Sequence, residues 1–274
     1  MSTIKFGPAG LGSVKEAISN LNKFHHLGLR ACEIAFTYGA YIKNKDDALA
    51  IGKVAKELGI YLSIHAPYYI NLNSKETEKI EASKKRVLKC CEIAHYLEAK
   101  RVVFHPGFYS NMKSEDATVN IKKSIIEMKD ILKKNKWHVE LCPEIMGKVN
   151  VFGSIDEITD LVKDTGCGFC IDFAHVLARY GEHKFEDIKK AFPQKKWHAH
   201  FSGIEYNEKG ERNHKLTETK EWNKLLNFLN GLDKDVVVIC ESPDPVGDSV
   251  KGKESWKTQD NIEVVSKIAT TPIM

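Results

Sequence analysis

The regular alternation of short apolar runs with amphipathic stretches most restricts how this chain can fold. Strand-like runs fall at Ile4–Gly7, Ala31–Phe36, Ile60–His65, Arg101–His105, His138–Glu144, Gly168–Asp172, Lys196–Phe201 and Val236–Glu241. Between and after them lie helical patterns over residues 13–27, 46–58, 76–97, 115–134, 155–164, 185–192, 221–229 and 262–268. Ser13 reads as an N-cap, while Gly28, Gly59, Gly166 and Gly231 fall where helices stop. Strict alternation of this kind implies parallel strands joined by right-handed crossovers. Eight such units close into an α/β fold, a (β/α)8 TIM barrel, here one domain over residues 1–274. A doubly wound open sheet is the alternative, but no Gly-x-Gly-x-x-Gly follows the first strand.

In a barrel of this type the C-terminal strand ends carry the active site. Six runs here end in or beside a metal-ligating side chain: His65, His105, Glu144, Asp172, His200 and Glu241. Barrel interiors are filled mainly by branched apolar residues, so these groups are not core filling. Taken singly, each has a plainer reading. Asp172 would cap a turn, and His65 and His105 would be hydrogen-bonded turn residues before Pro67 and Pro106. Together they point to shared cations, because a buried carboxylate is costly unless paired or coordinated. Imidazole and carboxylate donors suit zinc, with Mn2+ as the alternative ion. His198 shares the inward face with His200 but sits one layer deeper, hydrogen-bonded within the barrel. His25, His26, His95, His138 and His183 are read as surface or structural residues.

A chain that is 42% hydrophobic can fill one large core. Its net charge of +4 permits a nucleic-acid partner without requiring one. The clusters Lys84-Lys85-Arg86, Lys122-Lys123 and Lys133-Lys134 read as solvated helix faces. Seven cysteines without framework spacing read as reduced packing residues, with Cys142 and Cys170 facing inward. The start of the chain lacks a charged-then-apolar signal pattern, and no apolar run approaches the ~18–20 residues that cross a bilayer. The expectation is a monomeric, cytoplasmic protein that does not engage membranes.

The segments His65-Ala-Pro-Tyr68-Tyr69-Ile70-Asn71-Leu72, His105-Pro-Gly, Pro143-Glu144, Asp172-Phe-Ala-His175, His200-Phe-Ser and Glu241-Ser-Pro together resemble the endonuclease IV family of abasic-site DNA repair enzymes. They follow the family's order across most of the barrel. The resemblance implies one zinc held by His65, His105 and Glu144. Glu144 would bridge to a second, held with Asp172, His200 and Glu241, and His175 and His214 would belong to a third. It also implies catalytic roles for Glu144 and Glu241, and double-stranded DNA with abasic lesions as partner, contacted by Tyr68, Tyr69 and Asn71. The expected reaction is incision 5′ to the lesion, leaving a 3′-hydroxyl. Paired metal ions would supply hydroxide at neutral pH and stabilise the departing alkoxide. Phe108, Tyr109, Lys148 and Lys215 are further candidates for phosphate contacts.

The chain departs from the family in three places. Arg212 stands where a carboxylate is expected two residues before His214, leaving either Glu211 to reach instead or a third site that is weak or absent. Ser202-Gly203 replaces the usual Asn-Asp. The tip Phe36-Thr37-Tyr38-Gly39 lacks the arginine normally offered to DNA. A metal-dependent sugar isomerase or epimerase on the same barrel is the main rival, because Glu144, Asp172, His200 and Glu241 are common to both. His65, His105, His175 and His214 discriminate between them. A nucleic-acid-binding protein without catalysis is the third reading.

Overall fold

Two four-stranded parallel runs meet edge to edge and close on themselves. A computed structural model describes residues 3–269, with side chains described as far as residue 258. The barrel strands are β1 (Ile4–Pro8), β2 (Ala31–Ala35), β3 (Tyr61–His65), β4 (Arg101–Phe104), β5 (Glu140–Pro143), β6 (Ile171–Asp172) and β7 (Lys196–Phe201). After β7 comes an antiparallel hairpin, β8 (Gly203–Asn207) and β9 (Gly210–Lys215), and then the last barrel strand, β10 (Asp235–Cys240). The pairing orders are β2-β3-β4-β5 and β1-β10-β7-β6. Parallel bridges between Ala9 and Glu33 and between Glu144 and Cys170 join the two runs at both seams. Gly7 makes one seam possible, since a Cβ there would fall inside the Ala31 carbonyl.

The helices follow in turn: α1 (Ala17–His26), α2 (Lys45–Glu57), α3 (Thr77–Tyr96), α4 (Ser114–Asn135), α5 (Ile155–Thr165), α6 (Phe173–Tyr180), α7 (Phe185–Ala191), α8 (Thr219–Asn230) and α9 (Pro245–Ala269). Strand periodicity sorts side chains between two environments. On β7, Trp197, Ala199 and Phe201 pack outward in the main apolar core, while His198 and His200 turn into the barrel. On β10, Val236, Val238 and Cys240 join that outer core, and Val237 and Ile239 pack inside with Ala31. Val103, Cys142 and Cys170 form a second small inner cluster, and all seven cysteines are free and buried.

Several expectations need correction. The first helix begins at Ala17, not Ser13, because the Ser13 amide and hydroxyl both bond to Glu16 and hold a turn ahead of the helix. The sixth strand shrinks to Ile171–Asp172, preceded by a single bridge at Cys170, and the final helix begins at Pro245 rather than Ile262. Helix α6 and the β8–β9 hairpin are additions that strand–helix alternation did not reveal. Lys84 is not solvated; it is largely buried between Glu81 and Glu127, and Arg86 lies over the Tyr69 ring at 4.9 Å. Among the described residues no helix is long and apolar enough to cross a membrane.

Candidate metal centre

The two oxygens of the Glu144 carboxylate face two different groups of histidines. Glu144 follows β5 and is fully buried. Its Oε2 lies 3.1 Å from His65 Nε2 and 3.2 Å from His105 Nε2. Its Oε1 lies 3.0 Å from His200 Nδ1 and 3.5 Å from His175 Nδ1. Register explains the second set, since β6 pairs with β7 so that Asp172 stands directly beside His200. Asp172 also caps α6, accepting a 2.7 Å hydrogen bond from the His175 amide, so one residue starts the helix and faces the site.

Donor atoms converge in four groups, three of them at the mouth and a fourth made of Cys170, His198 and His200. His65, His105 and Glu144 form one; Glu144, Asp172, His200 and Glu241 the next; His175, Glu211 and His214 the third. Within each group the potential ligand atoms lie within 4.8 Å of one another. All eight sequence-expected metal residues therefore meet at one mouth. Glu211 joins them from β9, with Oε2 3.4 Å from His175 Nε2 and Oε1 4.0 Å from His214 Nε2. Arg212 points outward and lines the mouth. Asp172 Oδ2 and His175 Nε2 are buried without a hydrogen-bond partner. Unpaired buried polar atoms among imidazole and carboxylate donors are what a site built for cations requires.

The charges reinforce one another. Burial opposes ionisation of Glu144, yet His200, His105 and His65 hold its carboxyl well below the usual range. Burial likewise works against Glu241, but His200 holds it down at about 2. Asp172 goes the other way: burial pushes it up, only partly offset by His175. Burial disfavours the charged rings of His65 and His175. Glu144 nevertheless holds His65 at about 9, and Asp172 with Glu144 holds His175 at about 9.

A cleft of about 550 Å³ opens above these groups, bordered by Tyr68, Phe108, Lys148 and Arg212. Tyr68 is half exposed and stacks on His105, with ring centroids 5.5 Å apart. Tyr69 is tied through its hydroxyl to the Tyr38 carbonyl, and Tyr38 itself is 88% exposed. Asn71 is placed differently from its neighbours. Its Oδ1 accepts from the amides of Phe108 at 3.3 Å and Asn73 at 3.1 Å, which pins the loop after β4. Tyr109 is likewise engaged, bonded to Glu157 and Arg179, and Lys215 closes the β8–β9 hairpin opposite Gly203. A second cavity of about 510 Å³ lies at the opposite end of the barrel, between Lys5, Tyr61 and Lys196, and none of the three donor groups borders it.

The xylose isomerase-like TIM barrel family matches this chain over residues 21–263. The chain belongs to that family. It is 36% identical over 255 residues to the protein named "Uncharacterized protein MJ0133" of Methanocaldococcus jannaschii, covering 87% of this chain and 91% of the relative. It is 35% identical over 117 residues to a probable endonuclease 4 of Mesomycoplasma hyopneumoniae, a match spanning 41% of each chain. Among solved structures, endonuclease IV from Thermus thermophilus superposes with a TM-score of 0.70 at 18% identity, over 94% of this chain and 99% of that one. An L-ribulose 3-epimerase superposes equally well, with a TM-score of 0.70 at 13% identity, over 99% of this chain and 100% of that one. At such identities these two likenesses speak for the barrel alone.

Glu33 is the site residue that sequence reasoning passed over. It lies on β2, fully buried, and accepts hydrogen bonds from Ser63 at 2.7 Å and His198 at 2.8 Å. The available signal was a carboxylate in the middle of Ala31-Cys32-Glu33-Ile34-Ala35, where strand period turns it inward. Asn73 and Arg179 carry no signal in the spacing, and Ser202, marked there only as a departure from the family, gains a role. Asn73 Nδ2 holds the carbonyls of Phe108 and Tyr109, Ser202 Oγ sits 2.6 Å from His214 Nδ1, and Arg179 ties down the loop after β5.

Proposed function

We propose that this protein is a zinc-dependent phosphodiesterase that incises duplex DNA on the 5′ side of abasic sites, leaving 3′-hydroxyl ends. The observation that carries this reading is the split of the Glu144 carboxylate, one oxygen toward His65 and His105 and the other toward His200. A carboxylate so placed suits a site with more than one ion, held by His65, His105 and Glu144, by Glu144, Asp172, His200 and Glu241, and by His175, Glu211 and His214. Zinc bound there supplies activation of water at neutral pH and neutralisation of phosphate charge. Glu241 stays ionised and borders the cleft, which suits it to orient the attacking water or take its proton. Tyr68 offers a face for stacking in a disturbed duplex, and Lys148 and Arg212 offer cations to backbone phosphates. Tyr69 and Asn71 support that surface by fixing its loops.

Metal analysis combined with cleavage of a duplex carrying one synthetic abasic site tests the proposal. Two or three zinc ions per chain together with a nick at the site is the expected result. The second reading is a metal-dependent sugar isomerase or epimerase, for which the group Glu144, Asp172, His200 and Glu241 would hold a single ion. A single manganese or magnesium, no nick and turnover of a ketose would replace the first reading with the second.

A further inference from the structure

The ligand histidines of this site are oriented in two different ways. His65 turns Nδ1 to the Ala66 carbonyl at 2.7 Å and presents Nε2 to Glu144. His175 turns Nδ1 to the Ile145 carbonyl at 3.0 Å and presents Nε2 to Glu211. Main-chain carbonyls thus set both rings, and side-chain substitutions cannot remove them. His200 is reversed. Its Nδ1 faces all three carboxylates of the second donor group: Glu144 at 3.0 Å, Glu241 at 3.5 Å and Asp172 at 4.0 Å. Its Nε2 points down the barrel, 2.8 Å from Glu33 Oε1, a close approach whose angle departs from a straight hydrogen bond.

We propose that Glu33 is a positioning residue that selects Nδ1 of His200 as the metal-binding atom and thereby builds the second cation site. Glu33 itself is held from two sides, by Ser63 on β3 and His198 on β7, so its carboxylate cannot swing away. A carboxylate on the far nitrogen of a ligand imidazole fixes the proton there and makes the near nitrogen a better donor. His198 supports this carboxylate through Nε2, while its buried Nδ1 makes no hydrogen bond. The inference rests on the two-cation reading of the mouth. It also assigns that site a dependence on β2, a strand that contributes no ligand to the three donor groups.

The test follows zinc rather than incision. Purified full-length protein is loaded with zinc and challenged with graded chelator, and ring tautomers are followed by 15N resonances of labelled histidine. In the parent protein, zinc is expected on Nδ1 of His200, with the proton on Nε2. Glu33→Gln should weaken one bound zinc by roughly 10–100-fold, while the zinc at His65 and His105 keeps its affinity. Ser63→Ala, which removes only one support of Glu33, should weaken the same zinc by less, and it serves if the first variant does not fold. Zinc found on Nε2 of His200, or unchanged affinities in both variants, overturns the proposal. Selective zinc loss in a protein that never nicks abasic DNA would leave Glu33 in its role and remove the nuclease instead.

Discussion

Glu211 Oε2 comes within 3.4 Å of His175 Nε2, although the two residues lie on a surface hairpin and a buried helix. The β8–β9 turn carries Glu211 across the mouth, and Ser202 turns the His214 ring to meet it. Glu211 therefore occupies the place that Arg212 leaves empty of carboxylate. Glu211→Gln is expected to release the third zinc at chelator concentrations about tenfold lower or less. Arg212→Asp should leave zinc stoichiometry unchanged. A gain of zinc in Arg212→Asp, or none lost in Glu211→Gln, would show that Glu211 is a bystander.

Glu144→Ala removes the carboxylate that two donor groups share. Zinc content should fall at both, and incision should drop further than the roughly 10–100-fold typical of losing a merely supporting group. Elemental analysis of the purified variant, alongside nicking of the abasic duplex, checks both parts. Retained zinc with full activity would rule out the shared role.

In the metal-free protein His65 and His175 titrate at about 9, well above the ~6.5 of an exposed imidazole. A folded pKa raised above the unfolded one adds stability that is complete below about 6.5 and is lost as pH climbs through about 9. Thermal melts with chelator should therefore show Tm falling between about pH 6 and about pH 9.5. Zinc needs neutral rings, so its affinity should strengthen over the same window and its binding should release protons. A Tm that is flat across that range would contradict these assignments.

Tyr68→Ala takes away an exposed face that contributes no ligand. Base–aromatic stacking contributes ~1–3 kcal/mol, so binding of abasic duplex should weaken by about 5–150-fold while zinc content stays intact. Equal affinity for the variant, measured by fluorescence anisotropy, would assign Tyr68 to packing on His105 alone.

Gly252 on α9 packs flat on Trp222, and a Cβ there would come within 2.7 Å of the ring. Gly252→Ala should cost about 1–3 kcal/mol of unfolding free energy in denaturant titrations. No loss of stability would mean that α9 shifts freely on α8.

Much of this protein was legible from the chain itself because the relevant patterns are local. Period-two apolar runs and helical spacing placed all eight barrel strands, and ligand types at strand ends marked His65, His105, Glu144, Asp172, His200 and Glu241. The two donor groups that share Glu144 then follow from closure of the barrel. Tertiary structure decided what depends on partners distant in sequence. Glu33 meets His198 across 165 positions, and only the folded barrel shows that His200 turns Nε2 to Glu33 and Nδ1 to the site. The β8–β9 hairpin that delivers Glu211, and the α6 turn that aims His175, interrupt the strand–helix rhythm and so had no periodic signature. Spacing along a chain reports which face a side chain takes; the atom it presents is chosen by whatever packs behind it.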